Sequence, residues 1–194
     1  MKAIIEHLEP ELYEWCLLEY AHISFRLGKE NIVFTNVPKK DHAKLSHLGN
    51  VEEKSVLALA QSLGSLCVLD PKEKQCLSPS DKGTFDFFVF GGILGDHPMK
   101  GRTEKHFAPL KALRRSLGNV QMSTDTAAIV CHKIIDGALP FSKLEFQDGI
   151  EIPLEEGFSN VFPYRYLLED GKIVLTPGLI ELLKKEMDES DSDF

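Results

Sequence analysis

Residues 88–98, with the sequence FVFGGILGDHP, join an apolar segment to a glycine-rich loop. The first three residues are apolar, as in a buried strand, and three glycines follow within the next five. Glycine permits positive φ and lets backbone amides approach a ligand closely. Asp96 and His97 come directly afterwards, so titratable groups lie beside exposed backbone. The loop lacks the spacing of a Walker A or GxGxxG motif. It predicts a different ligand-binding loop or, alternatively, an ordinary tight turn.

Strand and helix patterns alternate on both sides of this loop. Strand-like segments occupy residues 3–7, 31–35, 65–69, 85–90 and 120–122, and helical patterns occupy 10–27, 38–64, 103–115 and 123–136. Near-continuous apolar strands alternating with helices predict an α/β fold, with a parallel sheet covered by helices on both faces. After residue 140 the pattern changes to short C-terminal strands and a last helix from residue 177. We predict one domain over 1–186 and an acidic disordered tail over 187–194.

The composition is that of an ordinary globular protein of 194 residues. With 22 Lys and Arg against 30 Asp and Glu, the net charge of −8 argues against nucleic-acid binding driven by overall charge. The four cysteines show no metal-binding spacing, so no metal site is predicted and a reducing compartment is indicated. No apolar run approaches the roughly 20 residues that span a bilayer. These features predict a cytoplasmic protein.

Charge is distributed unevenly along the chain. The first 20 residues contain one lysine and five glutamates, and residues 186–194 contain five acidic residues and no basic one. Residues 99–116 contain six Lys and Arg against a single glutamate. This basic segment is interpreted as a solvated helix face or, alternatively, as a contact surface for RNA or an acidic protein.

Ligands of parallel α/β sheets bind outside the carboxyl ends of the strands. Here that rule selects residues 6–7, 70–71, 91–98 and 122–125. Ser123 and Thr124 also suit the start of a helix, where capping alone would explain them. Only their position after a predicted strand favours a functional role.

Several strings in the chain resemble the SPOUT superfamily of knotted methyltransferases. They are FVFGGILGDHP at 88–98, Arg102-Thr103, Gln121-Met122 and 124–127, with IIEH at 4–7, Glu14-Trp15, 18–20, 69–71 and Arg165-Tyr166. Within that superfamily they are most similar to the yeast-type SPOUT protein arginine methyltransferases, which modify a small-subunit ribosomal protein. The matching strings span nearly the whole chain in the right order.

The resemblance implies a C-terminal trefoil knot and a monomeric enzyme that binds S-adenosylmethionine in a bent conformation between the knot loops. It implies three cofactor-binding segments, with the residues Leu69, Asp70, Pro71, Phe90, Gly91, Gly92, Gly95, Asp96, Gln121, Met122, Ser123 and Thr124. It also implies a basic protein substrate, with a ribosomal protein expected, and leaves a contact with ribosomal RNA open.

Methylation of arginine needs acidic residues, because the guanidinium stays protonated above about pH 12 and carboxylates can hold it by paired hydrogen bonds. The candidate catalytic residues are therefore Glu6, Glu19 and Asp96. Glu19 falls on the apolar face of the first helix, where a lone carboxylate is costly, so an internal ion pair is the alternative. Glu6 ends the first strand, and a solvated edge position is its alternative.

Trp15, Tyr20 and His97 are the candidate substrate-binding residues, with core packing as the alternative for Trp15 and loop packing for His97. Two other functions stay open. One is a SPOUT-type RNA methyltransferase that uses the basic segment, and the other is a non-catalytic cofactor-binding assembly protein. The charge beside the cofactor separates protein from RNA as substrate, because RNA phosphates require basic surroundings.

Overall fold

The computed structural model describes residues 1–94, 101–155 and 158–191. Together with short 3-10 turns, these residues form the following elements in chain order: β1 (Ala3–His7), α1 (Glu14–Leu27), β2 (Ile32–Thr35), α2 (His42–Leu45), β3 (Asn50–Val51), α3 (Val56–Leu59), β4 (Leu66–Leu69), β5 (Phe87–Gly92), α4 (Arg102–Phe107), β6 (Leu113–Arg115), α5 (Thr124–Ile135), β7 (Glu145–Glu155), β8 (Phe158–Glu169), β9 (Lys172–Ile173) and α6 (Leu179–Asp191).

The larger of two sheets is parallel throughout, with the strand order β3-β2-β1-β5-β4-β6. β1 is central, and all five of its residues are buried. β5 lies beside it in register, from Phe88 opposite Ala3 to Gly92 opposite His7. The glycine segment is therefore the direct continuation of an inner strand at the carboxyl edge of the sheet. This confirms the predicted parallel α/β sheet.

Helices cover both faces of this sheet. Ile5 of β1 belongs to a core that includes residues of α1 and α5. Its neighbour Ile4 belongs to a second core, with Val56 of α3 and Phe107 of α4. Because successive strand side chains point to opposite faces, the two cores lie on opposite sides of the sheet. The prediction of helices on both faces is confirmed.

Residues 103–115 do not form the single helix that the sequence predicts. α4 ends at Phe107, and β6 then pairs with β4, placing Leu113 opposite Cys67. Pro109 explains the break, because proline lacks the amide hydrogen that would continue the helical hydrogen bonds. The strand predicted at 120–122 is instead a loop.

Two other predicted helices are also shorter than expected. α1 begins at Glu14 and not at residue 10, with Tyr13 in the N-cap position. Residues 38–64 contain the four-residue helices α2 and α3 with β3 between them. β3 interrupts the helical pattern because Val51 pairs with Phe34 of β2 at the sheet edge.

The C-terminal sheet is larger than the predicted short strands. β7 and β8 have 11 and 12 residues and form an antiparallel hairpin. Proline and glycine obscure the alternation of these strands in the sequence. Pro163 lies at a shift in register, where the Asp148–Arg165 pair is followed by the Ile150–Phe162 pair. A bulge accommodates proline because it leaves a residue unpaired.

The hairpin packs against α6 and α1. Phe162 and Tyr166 form a small core with Leu179 and Leu183 of α6, and Trp15 of α1 packs against it. α6 continues to Asp191, so helix reaches into residues 187–194, for which the sequence predicts disorder.

All four cysteines are free thiols, and only Cys76 is exposed. Within the described residues, no helix combines the length and the apolar composition needed to cross a membrane.

Candidate active site

A cavity opens at the carboxyl edge of the parallel sheet, where β4 and β5 end and α5 begins. It contains about 910 Å³ of free space, part of it open to solvent. Its lining residues are Leu69, Asp70, Pro71, Lys72, Phe90, Gly91, Ile93, Gly101, Arg102, Thr103, Glu104, Leu117, Gly118, Val120, Gln121, Met122, Ser123, Thr124 and Ala127. The cavity lies where ligands of parallel sheets are expected.

Glycine backbone forms one wall of the cavity. A Cβ atom at Gly91 would lie 2.8 Å from Thr103 Oγ1 of α4. On the α5 side, the Thr124 hydroxyl lies 3.3 Å from the Gly91 carbonyl oxygen and 3.4 Å from that of Ile93. The glycine segment is thus held closely between α4 and α5, and its main chain faces the cavity.

The Glu9–Arg102 ion pair holds the chain at Leu94, where the chain leaves the glycine wall of the cavity. Glu9 Oε1 accepts a hydrogen bond from the Leu94 amide at 2.9 Å and lies 3.0 Å from Arg102 Nη1. Arg102 Nη2 donates to the Leu94 carbonyl oxygen at 2.8 Å. The same contacts hold Glu9, in the segment before α1, against the loop.

Glu19 lies behind the cavity wall and is 4% exposed. Trp15 Nε1 donates to its Oε1 at 3.2 Å. Burial raises the pKa of Glu19 well above its usual range, and the Asp125 carboxylate raises it further, while hydrogen bonds from Thr124 and Trp15 act in the opposite direction. Since Thr124 lines the cavity, Glu19 is one residue away from it. Within the described part of the chain no cation contacts Glu19, so the alternative of an internal ion pair finds no partner.

A second buried carboxylate, Asp125, follows at the start of α5. Its Oδ2 lies 2.8 Å from His22 Nδ1 and accepts from the Thr176 hydroxyl at 2.7 Å, while Ser123 donates to Oδ1 at 2.6 Å. Burial alone would raise the pKa of Asp125, but the hydrogen bonds from these three residues outweigh it and the pKa is lowered. Neighbouring carboxylates with opposed pKa shifts are a common arrangement in acid–base sites.

Comparison with known proteins places the chain in a family. The family model described as "Protein arginine N-methyltransferase SFM1-like" matches residues 2–190. The chain belongs to this family. The SFM1 protein arginine N-methyltransferase of Saccharomyces cerevisiae is 36% identical over 213 residues, an alignment that covers 100% of this chain and 99% of the yeast protein.

Solved structures agree with the family assignment. The structure of yeast arginine methyltransferase SFM1 complexed with SAM superposes with a TM-score of 0.87 at 36% identity, covering 95% of this chain and 90% of that one. The complex with SAH gives 0.86 at 36% identity, with 94% of each chain covered. A dual-specific Trm10 from Thermococcus kodakaraensis, at 15% identity and a TM-score of 0.56, shares the fold over 73% of this chain and 95% of its own. The SPOUT-type fold and the family resemblance are confirmed, and the trefoil knot stays a prediction.

Most cofactor-binding residues predicted for this SFM1-like chain line the cavity: Leu69, Asp70, Pro71, Phe90, Gly91, Gln121, Met122, Ser123 and Thr124. Gly92 does not. A Cβ atom there would lie 2.3 Å from the Tyr20 hydroxyl and 3.1 Å from the Glu6 carbonyl oxygen. Its missing side chain therefore allows α1 to pack on β5. Gly95, Asp96 and His97 lie outside the described residues.

Glu6 is neither solvated nor among the cavity-lining residues. Its carboxylate accepts hydrogen bonds from the hydroxyls of Thr35 and Ser55 and from the Val56 amide, and it lies 2.9 Å from His106 Nε2. These partners belong to the fold itself and join β1 to α3 and α4. The geometry corrects the catalytic prediction for Glu6 to a structural role.

The two aromatic residues predicted to bind substrate differ in their surroundings. Tyr20 is 1% exposed, its hydroxyl lies 3.0 Å from His7 Nδ1, and its ring packs against Phe34. It is a core residue and cannot wall a substrate channel. Trp15 is partly buried against Phe162, with ring centroids 5.7 Å apart, and stays beside Glu19.

The basic segment of this SFM1-like chain is partly neutralised by ion pairs within the fold. Three of its arginines form ion pairs within the fold: Arg102 with Glu9, Arg114 with Asp70, and Arg115 with Asp81. The predicted basic helix surface was wrong for its second half, because β6 turns these arginines towards carboxylates. These three arginines are already engaged by carboxylates, whereas Lys105 and Lys111 are exposed.

Several lining residues lie outside the positions predicted from the sequence: Lys72, Gly101, Arg102, Thr103, Glu104, Leu117, Gly118, Val120 and Ala127. Arg102 and Thr103 were part of the family resemblance, which could have identified them. The residues from Leu117 to Val120 reach the cavity only because the loop after β6 turns back at Gly118, which has a φ of +84°. No local pattern indicates that path.

Proposed function

We propose that this protein transfers a methyl group from S-adenosylmethionine to an arginine side chain of a basic protein, and that the acceptor is a small-subunit ribosomal protein. The observation that carries this proposal is the pair of buried carboxylates, Glu19 and Asp125, directly behind a cavity walled by glycine backbone. Membership in a family of protein arginine N-methyltransferases supports the reaction class.

The residues around the cavity fit this cofactor by their chemistry. Leu69, Leu117 and Met122 offer apolar surface to a flat base, as small-molecule sites generally do. Exposed backbone offers hydrogen-bonding groups. Lys72 and Glu104, which pair with each other at the rim, supply both signs of charge for a zwitterionic amino-acid end.

S-adenosylmethionine, when bound, supplies an electrophilic methyl group on a sulfonium. The protein must align a guanidinium nitrogen with it and receive the proton which that nitrogen loses. We assign both tasks to Glu19. An approaching guanidinium lowers the pKa of the carboxyl, so Glu19 ionises as the cation arrives and can hold it by paired hydrogen bonds.

The neighbours of Glu19 support this role. Asp125, held ionised by His22 and Thr176, adds negative potential that favours a cation in front of Glu19. Trp15 orients the Glu19 carboxylate through its indole N–H. Asp96 stays a predicted further carboxylate of the site, and His97 a predicted substrate contact.

A protein acceptor is favoured over RNA because the arginines of the basic segment are paired within the fold. We further propose that the protein is a monomer in the cytoplasm, where free thiols persist. Light scattering tests the first point, with one chain of 21.8 kDa expected.

Incubation with methyl-labelled cofactor and separated proteins and RNA of small ribosomal subunits tests the proposed reaction. We expect label in one protein band, recovered as methylarginine after hydrolysis. Label found only in RNA would refute the arginine reaction. Tight cofactor binding without any labelled product would instead indicate the non-catalytic assembly protein.

A further inference from the structure

The hairpin of β7 and β8 leaves part of a strand edge open. β8 has 12 residues, but β9 pairs with it only at Leu168 and Glu169. The Arg165 amide on the same edge donates to the Gln121 carbonyl oxygen at 2.8 Å. Among the described residues, no strand pairs with this outer edge at residues 159–162. Long open edges attract other chains, so proteins usually cover or shorten them.

This open edge begins beside the cavity. Gln121, which caps the edge at Arg165, lines the cavity. The Phe162 ring contacts Trp15, whose indole nitrogen donates to Glu19. A chain lying along residues 159–162 would therefore pass one aromatic layer away from the carboxylate that we propose to be catalytic.

The charge of the C-terminal region favours a basic occupant. Residues 145–194 contain 13 acidic and four basic residues, a balance of −9, whereas residues 1–144 have a balance of +1. Residues 145–169 alone contain six acidic residues and one basic residue, a balance of −5. Glu151 is exposed on the hairpin, directly opposite Val161, which is 69% exposed.

We propose that the acceptor protein docks by adding an extended, basic, arginine-containing segment to the outer edge of β8 at residues 159–162. Main-chain hydrogen bonds would supply affinity, as in other cases of strand addition, and the acidic hairpin would select basic sequences. Alternate side chains of the added strand point to the same face, so the target arginine is presented at a fixed position. This inference rests on the proposed arginine methylation.

Amide hydrogen exchange of the intact protein tests this docking independently of catalysis. The probe is a synthetic peptide of roughly ten residues, composed of glycine and lysine around one central arginine, at about 1 mM. Amides of alternate strand residues point to opposite edges. We expect two of the four amides at 159–162 to exchange about tenfold more slowly with peptide, and the other two, which face β7, to stay unchanged.

Charge variants provide a matched control for this experiment. Glu151→Lys is expected to weaken peptide binding about three- to tenfold at low salt and less at high salt. Glu30→Lys makes the same charge change at an exposed position outside the hairpin, and should leave binding unchanged. Neither residue belongs to the proposed cavity or carboxylate pair, so turnover at saturating peptide should be preserved in both.

The possible outcomes distinguish docking on β8 from the methylation reaction. Alternating protection without methylation would support docking and count against the proposed reaction. Methylation without protection, protection confined to other surfaces, or no binding at this concentration would refute docking on β8. Protection that appears on raising the protein concentration without peptide would assign the edge to a second copy of the chain and also refute the proposal.

Discussion

Replacing Glu19 with glutamine should make the protein more stable and less active. The buried carboxyl has a raised pKa, so the folded protein holds a proton that the unfolded chain releases. Stability therefore falls as pH rises from the ordinary carboxyl pKa of 4.5 towards the raised folded-state value. The neutral amide of Glu19→Gln lacks this pH dependence.

The pH of the assay sets an upper limit on the stability gained by Glu19→Gln. At pH 7 the proton uptake costs at most about 3.5 kcal/mol, since each pH unit above 4.5 contributes about 1.4 kcal/mol. The new amide N–H groups need partners, which offsets roughly 1–3 kcal/mol. We expect a net gain of about 1–2 kcal/mol, or a rise in Tm of about 2–8 °C for a domain of this size.

Activity should change in the opposite direction. Loss of the proton acceptor and of the charge that holds the guanidinium should lower kcat about 100- to 1,000-fold, with cofactor affinity nearly unchanged. Thermal unfolding between pH 5 and 8, calorimetric cofactor binding and single-turnover methylation measure the three quantities. Glu14→Gln, an exposed carboxylate of the same helix paired with Lys185, is the control and should alter stability by less than about 0.5 kcal/mol.

Two results would refute this reasoning. A lower Tm at pH 7 would show that the Glu19 charge is internally compensated, as the ion-pair alternative requires. A normal kcat in a folded, cofactor-binding Glu19→Gln protein would remove Glu19 from the reaction.

Three further predictions concern the cavity wall and the fold. Gly91→Ala should weaken cofactor binding about tenfold, measured by calorimetry, because its Cβ would lie 2.8 Å from Thr103 Oγ1 and displace this cavity-lining side chain; unchanged affinity would contradict the wall assignment. Gly92→Ala should instead lower stability by about 1–3 kcal/mol in urea unfolding, because its Cβ meets the Tyr20 hydroxyl, and a stable variant with lost cofactor binding would reverse the two roles. Asp81→Asn should cost about 3–5 kcal/mol in the same assay by leaving Arg115 buried without its carboxylate, and a loss below about 1 kcal/mol would mean that Arg115 finds another partner.

Local sequence patterns predicted those strands and helices whose formation depends mainly on the residues within them. β1 begins with three apolar residues and β5 with four, which is the pattern expected for strands that are buried on both faces. α5 follows from its serine and threonine start and its apolar face. Leu69–Pro71, Gly91 and Gln121–Thr124 line one cavity because parallel strands bring their carboxyl ends to one edge.

The roles of other residues depend on contacts with residues that are distant in the chain. Glu6 ends a strand beside the cavity segments, yet its carboxylate is used by Thr35, Ser55, Val56 and His106, up to 100 residues away. Gly92 is one residue from Gly91 but faces the opposite side, because a strand alternates. No pattern within either segment distinguishes these positions.

The sequence by itself determined the fold class, the family and the edge of the sheet where the cavity opens, because these depend on apolar strands, helix breaks and a specific loop string. Only the tertiary structure decided which carboxylates remain available for chemistry. Burial and hydrogen bonding set the protonation of Glu19 and Asp125, and both depend on packing of α1, α5 and the residue Thr176 against one another. The net charge of the chain could not reveal this, since charge acts through the local surroundings of each group.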